Sequence, residues 1–225
     1  MSAPFVLVHS PLMGPVVWSW VAEELEERGN AVIVPSLATA DLSQGWPGAV
    51  DSVVDGTRTA ERAILVGHSG AGPLLPVIAA RMASPPQRQV FVDASVPPEH
   101  GDARLVPEEH LGSLRALAGE GLLPRWSDWF GPGVMEMLVP EVERRAAVLA
   151  DLPEVPLAFF ETPVPMPDGW SASGCTYVLL SELYRSDATT ASSRGWPVVE
   201  MVGGHLDLVT RPSEVAEALL PAAEP

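Results

Sequence analysis

A chain of 225 residues with 47% hydrophobic content suits one α/β domain carrying a modest insertion, and no apolar run approaches the roughly 20 residues of a membrane span. A net charge of −16 argues against nucleic acid and anionic membranes, because phosphate contacts need a basic face. All 13 basic residues are arginine, which excludes Schiff-base chemistry and a P-loop lysine.

Residues 5–8 are a short apolar strand that runs into His9-Ser10-Pro11-Leu12-Met13-Gly14-Pro15. A helix over 18–28 follows, with Trp18, Val21, Ala22 and Leu25 on one face and Glu23, Glu24, Glu26 and Glu27 on the other. Gly29 and Asn30 stop it. Residues 31–34 are the second strand, 36–50 a loop, and 48–60 a helix leading to a strand at 63–67. The next helix runs from Ser69 to about residue 83. Its Pro73 is tolerable in a first turn, whereas Pro76 is expected to kink it. A strand at 89–92 ends at Asp93.

From 95 to 170 the alternation of strand and helix stops. Helical segments are expected near 107–119, 124–130 and 133–150, followed by a proline-punctuated extended stretch at 153–167. This region reads as a helical cap inserted into a core made of 1–94 and 171–225. Strands at 176–180 and 197–202 and a closing helix at 212–220 complete the core. Six short apolar strands separated by helices predict a mostly parallel six-stranded sheet with helices on both faces. In such sheets the chemistry gathers beyond the carboxyl ends of the strands, where His9, Ser10, Ser69, Asp93, Ser181, Glu182 and His205 fall.

The most informative stretch is Gly67-His68-Ser69-Gly70-Ala71-Gly72. Between a buried-strand run and a helical run, G-x-S-x-G puts a serine on a tight strand-to-helix turn, the nucleophile elbow. Gly67 and Gly70 are expected to let strand and helix pass closely. A serine at its ordinary pKa needs an adjacent base. His205, after the last strand and behind Gly203-Gly204, is the candidate. His68 is expected to pack beside the turn, and His100 and His110 to lie on the surface.

These anchors, with Phe5-Val6-Leu7-Val8-His9-Ser10, Gly14, Trp18-Ser19-Trp20 and Gly203-Gly204-His205-Leu206, resemble those of the α/β-hydrolase superfamily. The likeness is to the compact methylesterase and hydroxynitrile lyase group and its bacterial relatives, which lack an early hairpin. The resemblance implies a Ser-His-acid triad and hydrolysis of small esters, amides or thioesters without a cofactor. The family's aspartate usually follows the strand at 176–180, where this chain has Leu183 or Tyr184. Glu182 is nearest that slot, Asp93 occupies an alternative location, and Asp187 is a third candidate.

Oxyanion donors are expected from the Gly70 N–H and from the loop after His9. The family's second donor falls on Pro11, which has no N–H. Either Leu12 supplies the N–H through a shifted loop, or Ser10 donates its hydroxyl, or the reaction needs less oxyanion stabilisation than ester hydrolysis does. Leu206 stands where the lyases carry lysine, so cyanohydrin cleavage is not expected. Leu12, Met13, Trp126, Trp129, Phe130, Met135 and Met137 are candidate pocket walls, although the aromatics would equally hold the cap onto the core.

The expected activity is cleavage of a small, moderately hydrophobic ester or thioester through a Ser69 acyl-enzyme. The alternatives are a non-hydrolytic biosynthetic enzyme (lyase, cyclase or transferase) and a ligand-binding member without turnover. No cluster has metal-ligand spacing, so neither metal nor cofactor is expected. The partner is a small-molecule substrate, and monomer and homodimer stay open. Cys175 is the single cysteine and 1–4 has no basic n-region, so no signal peptide is expected and a cytoplasmic location is.

Overall fold

A computed structural model describes residues 3–37, 42, 45–172 and 174–223. The apolar runs form strands β1 (Phe5–Val8), β2 (Val32–Ile33), β3 (Ile64–His68) and β4 (Arg88–Val92). Residues 95–170, the segment expected to form the cap, hold four two-residue strands, β5 (Asp102–Ala103), β6 (Leu122–Leu123), β7 (Val155–Pro156) and β8 (Val164–Pro165). Then β9 (Cys175–Leu179) and β10 (Val198–Glu200) resume the core. The six core strands form a parallel sheet in the order β10-β9-β4-β3-β1-β2.

Side chains alternate across this sheet, as a strand's period of two requires. Phe5, Leu7, Ile64, Val66, Val90, Val92 and Val178 enter one core cluster. Val6, Val8, Leu65, Phe91, Tyr177 and Leu179 enter the other. The first face is covered by α1 (Ser19–Glu27), α9 (Asp207–Thr210) and α10 (Pro212–Ala222). The second is covered by α2 (Trp46–Gly56), α3 (Leu75–Arg81) and α8 (Arg185–Ser193). No helix of the described residues is long and apolar enough to cross a membrane.

The cap contains α4 (Glu108–Ala118), α5 (Val134–Leu138), α6 (Val142–Asp151) and α7 (Ala158–Glu161). It straddles both faces: Leu114, Leu123, Val155 and Phe159 join one cluster, and Met135, Val139, Val148 and Leu152 the other. The helix expected over 133–150 is two helices, broken around Pro140 where the missing N–H ends the first. Residues 124–130 form only a 3-10 turn at Trp126–Trp129. The extended stretch at 153–167 is interrupted by α7. Antiparallel pairs β5·β8 and β6·β7 tie its ends back to the cap's beginning.

The prolines after the elbow act differently from expectation. Residues Ser69–Leu74 form a 3-10 segment containing Pro73, and α3 starts at Leu75. Pro76 therefore lies in the first turn of a new helix, where no N–H is needed, and kinks nothing.

Candidate active site

Strand order decides what meets at the carboxyl edge. β3 lies between β1 and β4, with His68 opposite Val92 and Val92 opposite Val178. The residues just beyond these ends, Ser10, Ser69, Asp93 and Ser181, are thereby neighbours. Ser69 has φ 58, the left-handed conformation that a sharp strand-to-helix reversal imposes on a non-glycine residue.

Two glycines make the reversal possible, and only one of them is as expected. A Cβ at Gly67 would lie 2.7 Å from the Leu75 side chain. At Gly72 it would lie 2.1 Å from the Ser95 carbonyl oxygen, so the tightest approach is between elbow and cap root. A Cβ at Gly70 would be 3.4 Å from Ser10 Oγ and 3.5 Å from Pro11 Cδ, much milder contacts. Gly70 therefore does not serve the strand-helix approach; Gly67 does, and Gly72 lets the turn close against Ser95.

The His205 ring bridges Ser69 and Asp93. Its Nε2 is 3.0 Å from Ser69 Oγ, and its Nδ1 is 2.8 Å from Asp93 Oδ2. Asp93 is fully buried at φ 42. Its Oδ1 accepts the N–H groups of Leu180 and Ser181, both at 2.9 Å, and its Oδ2 also accepts the Ser181 hydroxyl. Burial alone would raise this carboxyl's pKa, but the bonds from His205 and Ser181 outweigh it and hold it below the usual value. An ionised Asp93 accepts the Nδ1 proton, which leaves Nε2 as the acceptor for the Ser69 hydroxyl.

Glu182 does not take the acid's place. It starts a 3-10 turn, points into solvent, and pairs with Arg185 at 2.6 Å; Arg185 also holds Glu200 at 2.8 Å. The Ser181 groups that precede it are already spent on Asp93. Asp187 is also elsewhere, accepting the Val96 N–H at 2.8 Å at the root of the cap, with burial raising its carboxyl's pKa.

The His205 ring stacks with two other rings. His68 stacks on it at 4.5 Å between centroids, and Tyr184 at 5.1 Å. His68 Nε2–H donates to the His205 carbonyl at 3.0 Å, and Trp18 meets the His68 ring edge-on. Burial, with repulsion from His205 second, pushes the His68 pKa down to about 3, so this ring stays neutral. The Tyr184 hydroxyl is 3.1 Å from Ser69 Oγ, and burial raises its pKa.

The loop carrying His205 has its own clamp, which sequence reasoning missed. Asp207 Oδ2 accepts the Gly204 N–H at 3.0 Å, and its Oδ1 accepts the Thr210 hydroxyl at 2.8 Å. A Cβ at Gly203 would collide with the same carboxylate at 1.8 Å. The signal was available in the spacing, an aspartate opening a turn with threonine three and arginine four residues later.

On the other side of Ser69, Ser10 and Pro11 border Gly70. The Leu12 N–H points at Ser10 Oγ at a long 3.4 Å, while the Met13 N–H and His9 Nδ1–H both go to the Ser10 carbonyl at 2.9 Å. His9 Nε2 accepts the Leu37 N–H at 3.0 Å and ties this loop to the one after β2. The Leu12 N–H is thus directed at its own loop, and Ser10 Oγ is the polar side-chain atom beside Gly70.

The candidate walls separate. Met13 and Met135 are core residues of one cluster, with Trp126 packed against it; Leu12 and Trp129 pack against the other. Phe130 is half exposed against Trp126, and Met137 is 72% exposed. Among the described residues no three His, Cys, Asp or Glu side chains are grouped as metal ligands.

Over its whole length the chain has known relatives. A carbendazim hydrolyzing esterase of Nocardioides sp. (strain SG-4G) is 28% identical over 242 residues, spanning 96% of this chain and 98% of that protein. The crystal structure of polyneuridine aldehyde esterase superimposes with a TM-score of 0.80 at 18% identity, covering 100% of both chains. Tomato methylketone synthase I, solved with 2-tridecanone, gives 0.78 at 18% identity over 99% and 98% of the two chains. The alpha/beta hydrolase family model matches residues 5–218, and the chain belongs to that family.

Proposed function

We propose that the protein is a serine hydrolase that cleaves a small carboxylic ester or thioester through an acyl-enzyme on Ser69. The observation that carries this reading is the continuous relay from Ser69 through His205 to Asp93, at 3.0 and 2.8 Å. His205 takes the Ser69 proton as Oγ attacks the carbonyl carbon. Asp93 holds the ring in the tautomer that can do so and stabilises the imidazolium that results. The Gly70 N–H and the Ser10 hydroxyl donate to the developing oxyanion. Water, deprotonated by the same imidazole, then releases the acid. The esterase named among the relatives supports ester hydrolysis as the reaction class.

A fluorophosphonate probe tests the reading. Wild type is expected to be labelled at Ser69 and Ser69→Ala to be unlabelled, with ester turnover reduced by about a millionfold. An unlabelled wild type would count against a working nucleophile. A non-hydrolytic reaction is the second reading, and Pro11 favours it because an amide donor is missing from that position. Efficient turnover of simple alkyl esters would set it aside.

A further inference from the structure

Tyr184 touches the nucleophile and has no part in the relay. The protons around Ser69 decide what its hydroxyl is doing. With Asp93 accepting from Nδ1, His205 Nε2 accepts the one proton of Ser69, so the 3.1 Å contact between Ser69 Oγ and Tyr184 has the tyrosine as donor. In the resting protein this bond ties up a lone pair of the attacking oxygen. An incoming substrate has to take it over.

Strand order says where the bond goes. The oxyanion donors lie toward β1, on one side of β3. Tyr184 follows β9, on the far side of β4, and is stacked nearly parallel to His205 at 17° between ring planes. Its hydroxyl thus reaches Ser69 from the imidazole flank, opposite Gly70. The departing group leaves on that flank, because His205 must protonate it there.

We infer that Tyr184 is a second hydrogen-bond donor to the departing group, passing its bond from Ser69 Oγ to the leaving oxygen of the substrate. The inference rests on Ser69 being the nucleophile. When the tetrahedral intermediate collapses, the bond between the carbonyl carbon and the leaving oxygen breaks and its electron pair stays on that oxygen. His205 transfers the proton it took from Ser69 to the same oxygen. Tyr184 keeps its own proton, as its burial favours, and stabilises the charge only by donation. Such help matters most for strongly basic leaving groups. It therefore narrows the substrate to alkyl esters, whose alkoxides leave poorly, over thioesters and activated aryl esters.

The experiment is a series of ethyl, trifluoroethyl, phenyl and p-nitrophenyl esters of one acid, run on wild type and Tyr184→Phe. The variant keeps the ring on His205 and loses the hydroxyl. Its loss of kcat/KM on the ethyl ester is expected to exceed that on the p-nitrophenyl ester by about tenfold, the worth of one neutral hydrogen bond. Equal losses along the series would overturn the inference and leave Tyr184 as packing for His205. Wild type gives an independent reading that needs no variant to fold: kcat/KM should depend weakly on leaving-group pKa, and a steep dependence would overturn the inference. Labelling of wild-type Ser69 by fluorophosphonate separates the two failures. A labelled enzyme with equal losses sinks only the role of Tyr184, whereas an unlabelled one sinks the nucleophile with it.

Discussion

The two flanks of Ser69 are built to different standards. On the imidazole flank, His205 is bonded at both ring nitrogens, stacked with two rings, and held through its backbone by His68. Asp93 behind it accepts four hydrogen bonds. On the flank proposed for the oxyanion, the turn from Ser10 to Met13 brings a hydroxyl near Gly70, and the position expected to donate an amide is Pro11. Proton transfer fails with small misplacement of an imidazole, so redundancy there is useful. Oxyanion stabilisation tolerates a change of donor, provided one points at the right place.

The largest test of this contrast is the acid. Asp93→Asn should lower kcat by about four orders of magnitude by inverting the His205 tautomer, while Glu182→Gln should leave it within about twofold. Steady-state kinetics on both variants decides it, and the opposite ranking would move the relay to another carboxylate. On the thin flank, Ser10→Ala should cost about a hundredfold in kcat with little change in KM, as loss of one oxyanion donor does. Adding Pro11→Ala, which restores an N–H, should recover part of that loss.

Stability probes come next. Gly72→Ala forces a Cβ against the Ser95 carbonyl and should cost about 3 kcal/mol in urea unfolding. Gly112→Ala, inside α4 with open space around it, should instead gain several tenths. The smallest effect is in pH. The pKa of His68 falls from 6.5 to about 3 on folding, so the unfolded chain binds the extra proton and stability drops as pH falls between those values. His68→Phe should remove up to about 1.4 kcal/mol per pH unit from that slope. Asp93, whose pKa is lowered, adds its own loss only further down, as pH falls below the ordinary carboxylate value.

The imidazole flank was half legible in the sequence. Ser69 and His205 are readable because each sits beside an apolar strand and among glycines, both local signals. The choice between Asp93 and Glu182 was not readable, since both follow a strand. It is made by β4 lying beside β3 and by Ser181 turning its N–H back, neither of which is local. Helix α8 escaped for a different reason: its Ser, Thr and Ala leave little apolar periodicity to detect. The split at Pro140 and the helix start at Pro76 were visible as prolines, but where each helix begins depends on what it packs against.

The root of the cap has a practical meaning for protein engineering. Ser95 donates its N–H to the carbonyl of Ser69 itself at 3.3 Å, closes over Gly72, and is followed by Val96 on Asp187. A chimera that exchanges this cap for another, to change what the enzyme accepts, should be spliced after Val96. Joined any earlier, it would replace the residues that hold the turn around Ser69, and a swap meant to alter selectivity would instead distort that turn.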